Sequence, residues 1–321
     1  MKIRSFGGIC VSQSQFNITV KDGTMIEVKI DKANNETIGI VHLFHGMAEH
    51  MDRYDELVKA LNLQGYDVLR HNHRGHGKNI DENERGHFND MTQVVDDAYE
   101  IVETIYDSHF ELPYIVLGHS MGSIIARLFV KQYPQFANGL ILTGTGMFPK
   151  WKGIPTLVLL KLITMILGKR RRVKWVNRLM NKSFTKKIDQ PQTESDWLST
   201  KREEVNKFID DEYCGFRVSN QLIYQTVKYM MDTANVKSLK QMKHNLPILL
   251  ISGKDDPFGE YGKGVKKLGK IYKKAGIKHI TMQLYKNKRH EILFEDDYLT
   301  TWQHMFEWIK KQILKKNKVS E

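Results

Sequence analysis

Cysteine is scarce in this chain of 321 residues: there are two, Cys10 and Cys214, far apart in sequence. They make no disulfide framework, which excludes the small secreted scaffolds and fits a reducing compartment. Long apolar runs are also missing. No stretch reaches the roughly 18 consecutive apolar residues that span a bilayer. The opening Met1-Lys2-Ile3-Arg4-Ser5-Phe6-Gly7-Gly8 lacks the apolar stretch of a signal peptide, so the expectation is a cytoplasmic protein. No internal repeat or low-complexity tract appears, which argues against a solenoid or a linker-like chain. One segment lacks acidic residues altogether. From Lys150 to Lys187 there are twelve Lys and Arg and no Asp or Glu, so this segment carries the whole net charge of +12. A smaller basic run closes the chain, Lys310-Lys311 through Lys315-Lys316 and Lys318. Such patches suit nucleic acid, an anionic membrane surface, or solubility alone.

What is present describes a folded enzyme-sized protein: 41% hydrophobic and 27% charged residues are ordinary for a globular chain. Phe16-Asn17-Ile18-Thr19-Val20, a turn at Lys21-Asp22-Gly23, and Met25-Ile26-Glu27-Val28-Lys29 read as a hairpin. Buried-strand runs follow at 38–44, 67–69, 114–118 and 139–143, with helical patterns at 54–63, 92–106 and 121–132 between them. From 144 to 224 the pattern is helical, basic and rich in Leu, Ile and Met. Strand and helix then alternate again: strands at 248–252 and 279–284, helices at 262–275 and onward to about Lys315. A hairpin followed by such alternation predicts an α/β fold, a mostly parallel sheet with helices on both faces. The interruption predicts an inserted helical cap. The expected division is core 1–143, cap 144–224 and core 225–321.

Gly118-His119-Ser120-Met121-Gly122 directly follows a strand and opens a helix, the setting in which G-x-S-x-G forms a nucleophile elbow. Its glycines suit a turn too sharp for a Cβ. The helix N-terminus behind Ser120 offers free N–H groups to a developing oxyanion. His45-Gly46-Met47 ends an earlier strand, where the second oxyanion donor belongs, so the backbone amides of Met47 and Met121 are the expected pair. A packed histidine steadying that loop is the plainer reading of His45, and both can hold. In this architecture the chain order runs Ser, then acid, then His. After Ser120 there remain His244, His279, His290 and His304. His290 alone sits in a loop after the last strand, which makes it the expected base. The acid belongs after the strand 248–252, where Asp255 and Asp256 are both available and spacing does not separate them.

Several motifs in one order carry a resemblance: His45-Gly46-Met47-Ala48-Glu49-His50 with Arg53-Tyr54, then His73-Arg74-Gly75-His76-Gly77, the Ser120 motif, and Arg289-His290-Glu291. Together they resemble the bacterial monoacylglycerol lipase and lysophospholipase family of α/β-hydrolases over nearly the whole chain. Asn72-His73 departs from the family's usual start of its Gly-His-Gly stretch. The resemblance implies the pattern G-x-x-D, which from Gly253 selects Asp256. It further implies hydrolysis of a single-chain lipid ester by acyl transfer to Ser120 and then to water.

Other readings are weaker. His71-Asn72-His73-Arg74-Gly75-His76 approaches a dinuclear zinc signature, but Gly75 stands where the carboxylate ligand is needed and Arg74 disfavours a cation. Gly144-Thr145-Gly146 lacks the third glycine and acidic partner of a dinucleotide site. No metal, cofactor or nucleic-acid partner is therefore expected. Cys214 reads as a packed cap cysteine rather than a reactive thiol. Elbow enzymes of this fold that attack carbon–halogen or epoxide bonds use Asp where this chain has Ser. A small-ester or prolyl-peptide hydrolase remains the alternative, with a binding protein on an inactive scaffold further off. In the cap, the apolar stretch Ile154–Leu167 adjoins Gly168-Lys169-Arg170-Arg171-Arg172. That pairing suits peripheral contact with the inner, anionic membrane surface, against the plain reading of an apolar face packed on the core.

Overall fold

The computed structural model describes residues 13–106 and 111–314. Cys10 and the terminal Lys315, Lys316 and Lys318 lie outside them. Eight strands form one sheet: β1 Gln13–Thr19, β2 Met25–Asp31, β3 Gly39–Phe44, β4 Tyr66–His71, β5 Tyr114–His119, β6 Gly139–Thr143, β7 Ile248–Gly253 and β8 Ile280–Tyr285. Their order is β1-β2-β4-β3-β5-β6-β7-β8. The pairs β1–β2 and β2–β4 are antiparallel and the rest parallel.

The continuous apolar strands exist because both faces are covered. Along β3, Ile40 and Phe44 enter one core while Val41 and Leu43 enter the other; Val116 and Leu117 of β5 divide the same way. Helices α2 (Met91–Ile105), α3 (Met121–Gln132) and α9 (Lys263–Lys274) close the first core. Helices α1 (Asp55–Leu63) and α10 (Tyr298–Ile309) close the second. Local chemistry sets the ends: α2 starts where Asp90 accepts from Thr92 N at 2.9 Å.

Between β6 and β7 the described chain is helical: α4 Lys150–Leu167, α5 Lys174–Thr185, α6 Arg202–Asp210, α7 Asn220–Asp232 and the short α8 Val236–Leu239. Residue 224 lies inside α7. That helix is pinned from two sides. Its cap Ser219 accepts from Leu222 N and pairs with His87 Nδ1 of the core, while Asn220 N donates to Arg171 O at 2.9 Å.

Strand order reverses at β3. The chain goes from β3 to β4 on one side and from β5 to β6 on the other, which opens a crevice at the carboxyl ends of β3 and β5. The loops carrying Met47 and Ser120 meet there.

Candidate active site

Ser120 has φ +52° and ψ −119°, a left-handed-side conformation that a serine adopts only under constraint. The constraint is close packing of strand and helix. A Cβ on Gly118 would lie 2.4 Å from Gly122 O, and one on Gly122 would lie 2.1 Å from Phe44 O. Both positions require glycine for that approach rather than for their own torsions. The strained turn lifts the half-buried Ser120 side chain above the sheet edge.

His290 reaches it from the loop after β8. His290 Nε2 lies 2.8 Å from Ser120 Oγ, and Nδ1 lies 3.1 Å from both carboxylate oxygens of Asp256. Asp256 is fully buried and accepts from Phe258 N at 2.9 Å. Asp255, one residue earlier, is exposed. The His290 loop can approach β7 because Gly253 has no side chain; a Cβ there would sit 2.0 Å from Lys288 O. Trp197 and Phe258 pack on the imidazole, with ring centroids 4.6 and 5.3 Å away. His119 is also close, at 5.0 Å, and burial together with the His290 charge lowers its pKa to about 3.

The other histidines on which the sequence raised the question of a base lie elsewhere. His279 precedes β8, His244 precedes β7, and His304 on α10 bonds Tyr285 OH at 2.8 Å.

Met121 opens α3, so its amide is one of the first-turn donors without an intrahelical acceptor. Met47 lies across the crevice after β3, and both residues line the same cavity.

Beneath that loop runs a network whose residues stood in the sequence motifs without a role. Glu49 accepts from Gly46 N and from Tyr54 OH, and it pairs with Arg53. Arg53 also makes a two-pronged bridge to Glu291, at 2.8 and 3.0 Å. One guanidinium thus joins the Met47 loop to the residue beside His290. Burial opposes the charge on both carboxylates. Arg53 nevertheless holds Glu49 down to about 2, while burial prevails at Glu291 and raises it. The signal for this network was the motif itself, Glu49 and Arg53 four apart with Arg-His-Glu far downstream, but contact across 238 residues is not readable from spacing.

Above Ser120 lies a cavity of about 600 Å³, a size typical of small-molecule sites. Apolar side chains dominate it, among them Met147, Leu160, Ile163, Ile223 and Phe258. Leu159, Trp175 and Leu179 also border it, yet are 54%, 53% and 62% exposed. They form its outer rim. The carboxylates on its wall are engaged: Glu49 and Glu291 by Arg53, Glu260 by Lys267 at 3.3 Å.

A mostly parallel eight-stranded sheet with a serine on a strained strand-to-helix turn at its switch point defines an α/β-hydrolase. A family model described as serine aminopeptidase, S33, matches residues 35–297, and the chain belongs to that family. It is 30% identical over 158 residues to a monoacylglycerol lipase of Mycolicibacterium smegmatis, covering 49% of this chain and 55% of that protein. A probable lysophospholipase L2 of Haemophilus influenzae is 25% identical over 262 residues, covering 79% of this chain and 78% of the relative. Among solved structures, a thermostable carboxyl esterase from Bacillus coagulans in complex with glycerol superposes with TM-score 0.86 at 27% identity, covering 94% of this chain and 99% of the other. The chain thus spans about half the length of the monoacylglycerol lipase it matches.

Proposed function

We propose that the protein hydrolyses carboxylic esters of single-chain lipids, monoacylglycerols or lysophospholipids, through an acyl-enzyme on Ser120. The observation that carries this reading is the apolar cavity above Ser120 with an exposed apolar rim. His290 Nε2 accepts the Ser120 proton as Oγ attacks the ester carbonyl, and the Asp256 carboxylate holds Nδ1–H and balances the imidazolium. The carbonyl oxygen becomes an oxyanion held by the Met47 and Met121 amides. His290 then returns the proton to the departing alcohol oxygen. A water gives its proton to His290 and attacks the acyl carbon; the bond to Ser120 Oγ then breaks, His290 returns the proton to Oγ, and the fatty acid leaves. No step draws on a metal or cofactor.

The helices of 144–224 serve in this reading as a cap between the core segments 1–143 and 225–321. α4 buries Gly153, Leu160 and Ile163 and turns Ile154, Val158, Leu162, Met165 and Ile166 outward. Its apolar surface is thus divided between the interior and solvent. Among the described residues no helix is long and apolar enough to cross a membrane. An exposed apolar face beside exposed Lys161, Lys169 and Arg171 suits peripheral contact with an anionic lipid surface. Substrate would then enter the cavity past Leu159, Trp175 and Leu179.

The family description favours a second reading, an aminopeptidase. Such an enzyme needs a carboxylate free to hold the substrate's ammonium, and each carboxylate on the described cavity wall is already paired. The deciding experiment is a hydrolysis panel of monoacylglycerol, lysophosphatidylcholine, short p-nitrophenyl esters and a proline arylamide, with Ser120→Ala as control. The two lipids should turn over and the control should be inactive. Preference for the arylamide would transfer the site to peptides.

A further inference from the structure

The sequence places five histidines in and around the crevice that the reaction above does not use: His42, His45, His71, His73 and His76. All are buried, and hydrogen bonds join the rings of His42, His71 and His73 in one series. Tyr114 OH lies 2.5 Å from His42 Nδ1, His42 Nε2 lies 2.9 Å from His71 Nδ1, and His71 Nε2 lies 3.2 Å from His73 Nδ1. The series ends at the His45 carbonyl, 3.2 Å from His73 Nε2.

The direction of every proton follows from that last contact. A carbonyl only accepts, so His73 carries its proton on Nε2 and accepts at Nδ1. His71 must then donate from Nε2, His42 likewise, and Tyr114 donates its hydroxyl to His42. Two further contacts obey the same logic. His45 Nδ1 faces Gly46 O at 2.8 Å and donates, leaving Nε2 to accept from His73 N at 3.0 Å. His76 Nδ1 faces Arg74 O at 2.9 Å and donates, leaving Nε2 to accept from Ala48 N at 3.2 Å. No ring has room for a second proton without turning an acceptor into a donor that points at another donor.

What these rings hold is the Met47 loop. In a trans peptide the C=O and N–H point in opposite directions, so fixing one aims the other. His45 grips Gly46 O, and the amide at the other side of that same peptide plane is Met47 N–H. The plane before it is held at His45 O by His73 and at Gly46 N by Glu49; the plane after it is held at Ala48 N by His76. Three successive peptide planes are thus oriented by side chains, and each of the three has a histidine in one required tautomer among its partners. Charged groups facing the set are Glu49 from the Met47 loop and Arg85 from the loop after β4; Phe129 of α3 and Phe216 after α6 supply neutral walls.

We propose that Tyr114, His42, His71 and His73 form a single-tautomer relay that, with His45 and His76 each held in one tautomer, aims the Met47 amide; His45, His73 and His76 are the positioning residues, and His42 and His71 hold the proton direction of His73. The proposal rests on Met47 acting as an oxyanion donor. Its first test needs no turnover: nitrogen-15 spectra of the intact protein should show Nε2–H on His42, His71 and His73 and Nδ1–H on His45 and His76, unchanged from pH 8 to pH 6. One ring in the opposite tautomer overturns it. The second test compares His71→Leu with His71→Gln, because Gln can accept from His42 and donate to His73 whereas Leu can do neither. Loss of an oxyanion donor costs on the order of 10² to 10³ in kcat. Misaiming the donor in the His71→Leu variant should therefore lower kcat at least about tenfold with KM little changed, and His71→Gln should recover most of that. Equal losses in both variants, or full kcat in His71→Leu, would reduce the relay to packing and overturn the proposal. An active Ser120→Ala with the tautomers as assigned would instead remove the hydrolytic reading and leave the relay standing as structure.

Discussion

The Asp256 carboxylate is buried and faces His290, whereas Asp255 beside it points to solvent. Replacing each by Asn removes the same charge from very different surroundings. Asp256→Asn should lose on the order of 10⁴ in kcat, because the imidazole would take the wrong tautomer. Asp255→Asn should stay within a few-fold, since an exposed charge acts only weakly through water. Steady-state kinetics on a short soluble ester would decide, and the reverse ranking would move the acid to Asp255. Arg53 poses a stability question instead. Its removal leaves Glu49 and Glu291 buried without a counter-charge. Breaking a buried ion network this way typically costs about 3–5 kcal/mol. Denaturant unfolding of Arg53→Ala should show that loss, and a change below about 1 kcal/mol would mean that water enters to solvate the pair.

Among the elements, the helical segment between β6 and β7 shows that neighbouring arginines need not do the same work. Arg172 donates to the carbonyls of Glu82, Asn83 and Arg85, and Arg170 pairs with Glu84 at 2.6 Å. These two tie the segment to the core, while Lys169 and Arg171 lie exposed beside the outward face of α4. The four therefore separate by experiment. Changing Lys161, Lys169 and Arg171 together to Gln should weaken binding to anionic vesicles, each charge near the surface contributing about 1 kcal/mol. The difference should shrink at high salt, and hydrolysis of a soluble ester should hold. Arg172→Gln should instead lower the melting temperature, through loss of the hydrogen bonds that tie the segment to the carbonyls of Glu82, Asn83 and Arg85. Unchanged vesicle affinity in the triple variant would make the exposed cluster a solvated helix end.

For the whole molecule, the buried histidines set the response to acid. Burial lowers His71 to about 3 and His76 to about 4, and it holds His42, His45 and His73 well below 6.5. In the unfolded chain all five titrate near 6.5. Between pH 6.5 and about 4 the unfolded state binds more protons, so stability rises with pH there. It is complete above 6.5 and is lost as pH falls toward the folded values. Each such group adds up to about 1.4 kcal/mol per pH unit, so a melting temperature followed from pH 7 to pH 4.5 should drop steeply. A flat profile would mean that the histidines are already solvated in the folded state.

The sequence alone determined what local periodicity and turn chemistry encode. The hairpin, the strand–helix alternation and the elbow at Ser120 were legible because side-chain period and the need for glycine at a close turn are short-range properties. The helix expected from Tyr54 begins at Asp55, after a turn of 3₁₀ helix, and the strand expected at 67–69 runs from Tyr66 to His71. Those ends depend on packing partners as well as on propensity. Ser120, Asp256 and His290 could be singled out by order along the chain, which topology constrains, with the family's G-x-x-D pattern choosing between the two aspartates. Tertiary structure alone decided what depends on burial and on partners distant in sequence. It put Asp255 in solvent and Asp256 beneath His290, joined Glu49 to Glu291 through Arg53, and linked His71 and His73 of a zinc-like run to His42 in a hydrogen-bonded series with one proton direction. It also divided the apolar stretch of α4 between core and solvent. The physical reason is common to all four. A side chain's charge state and its partner are set by what the fold excludes water from, and no residue carries that information in its own identity.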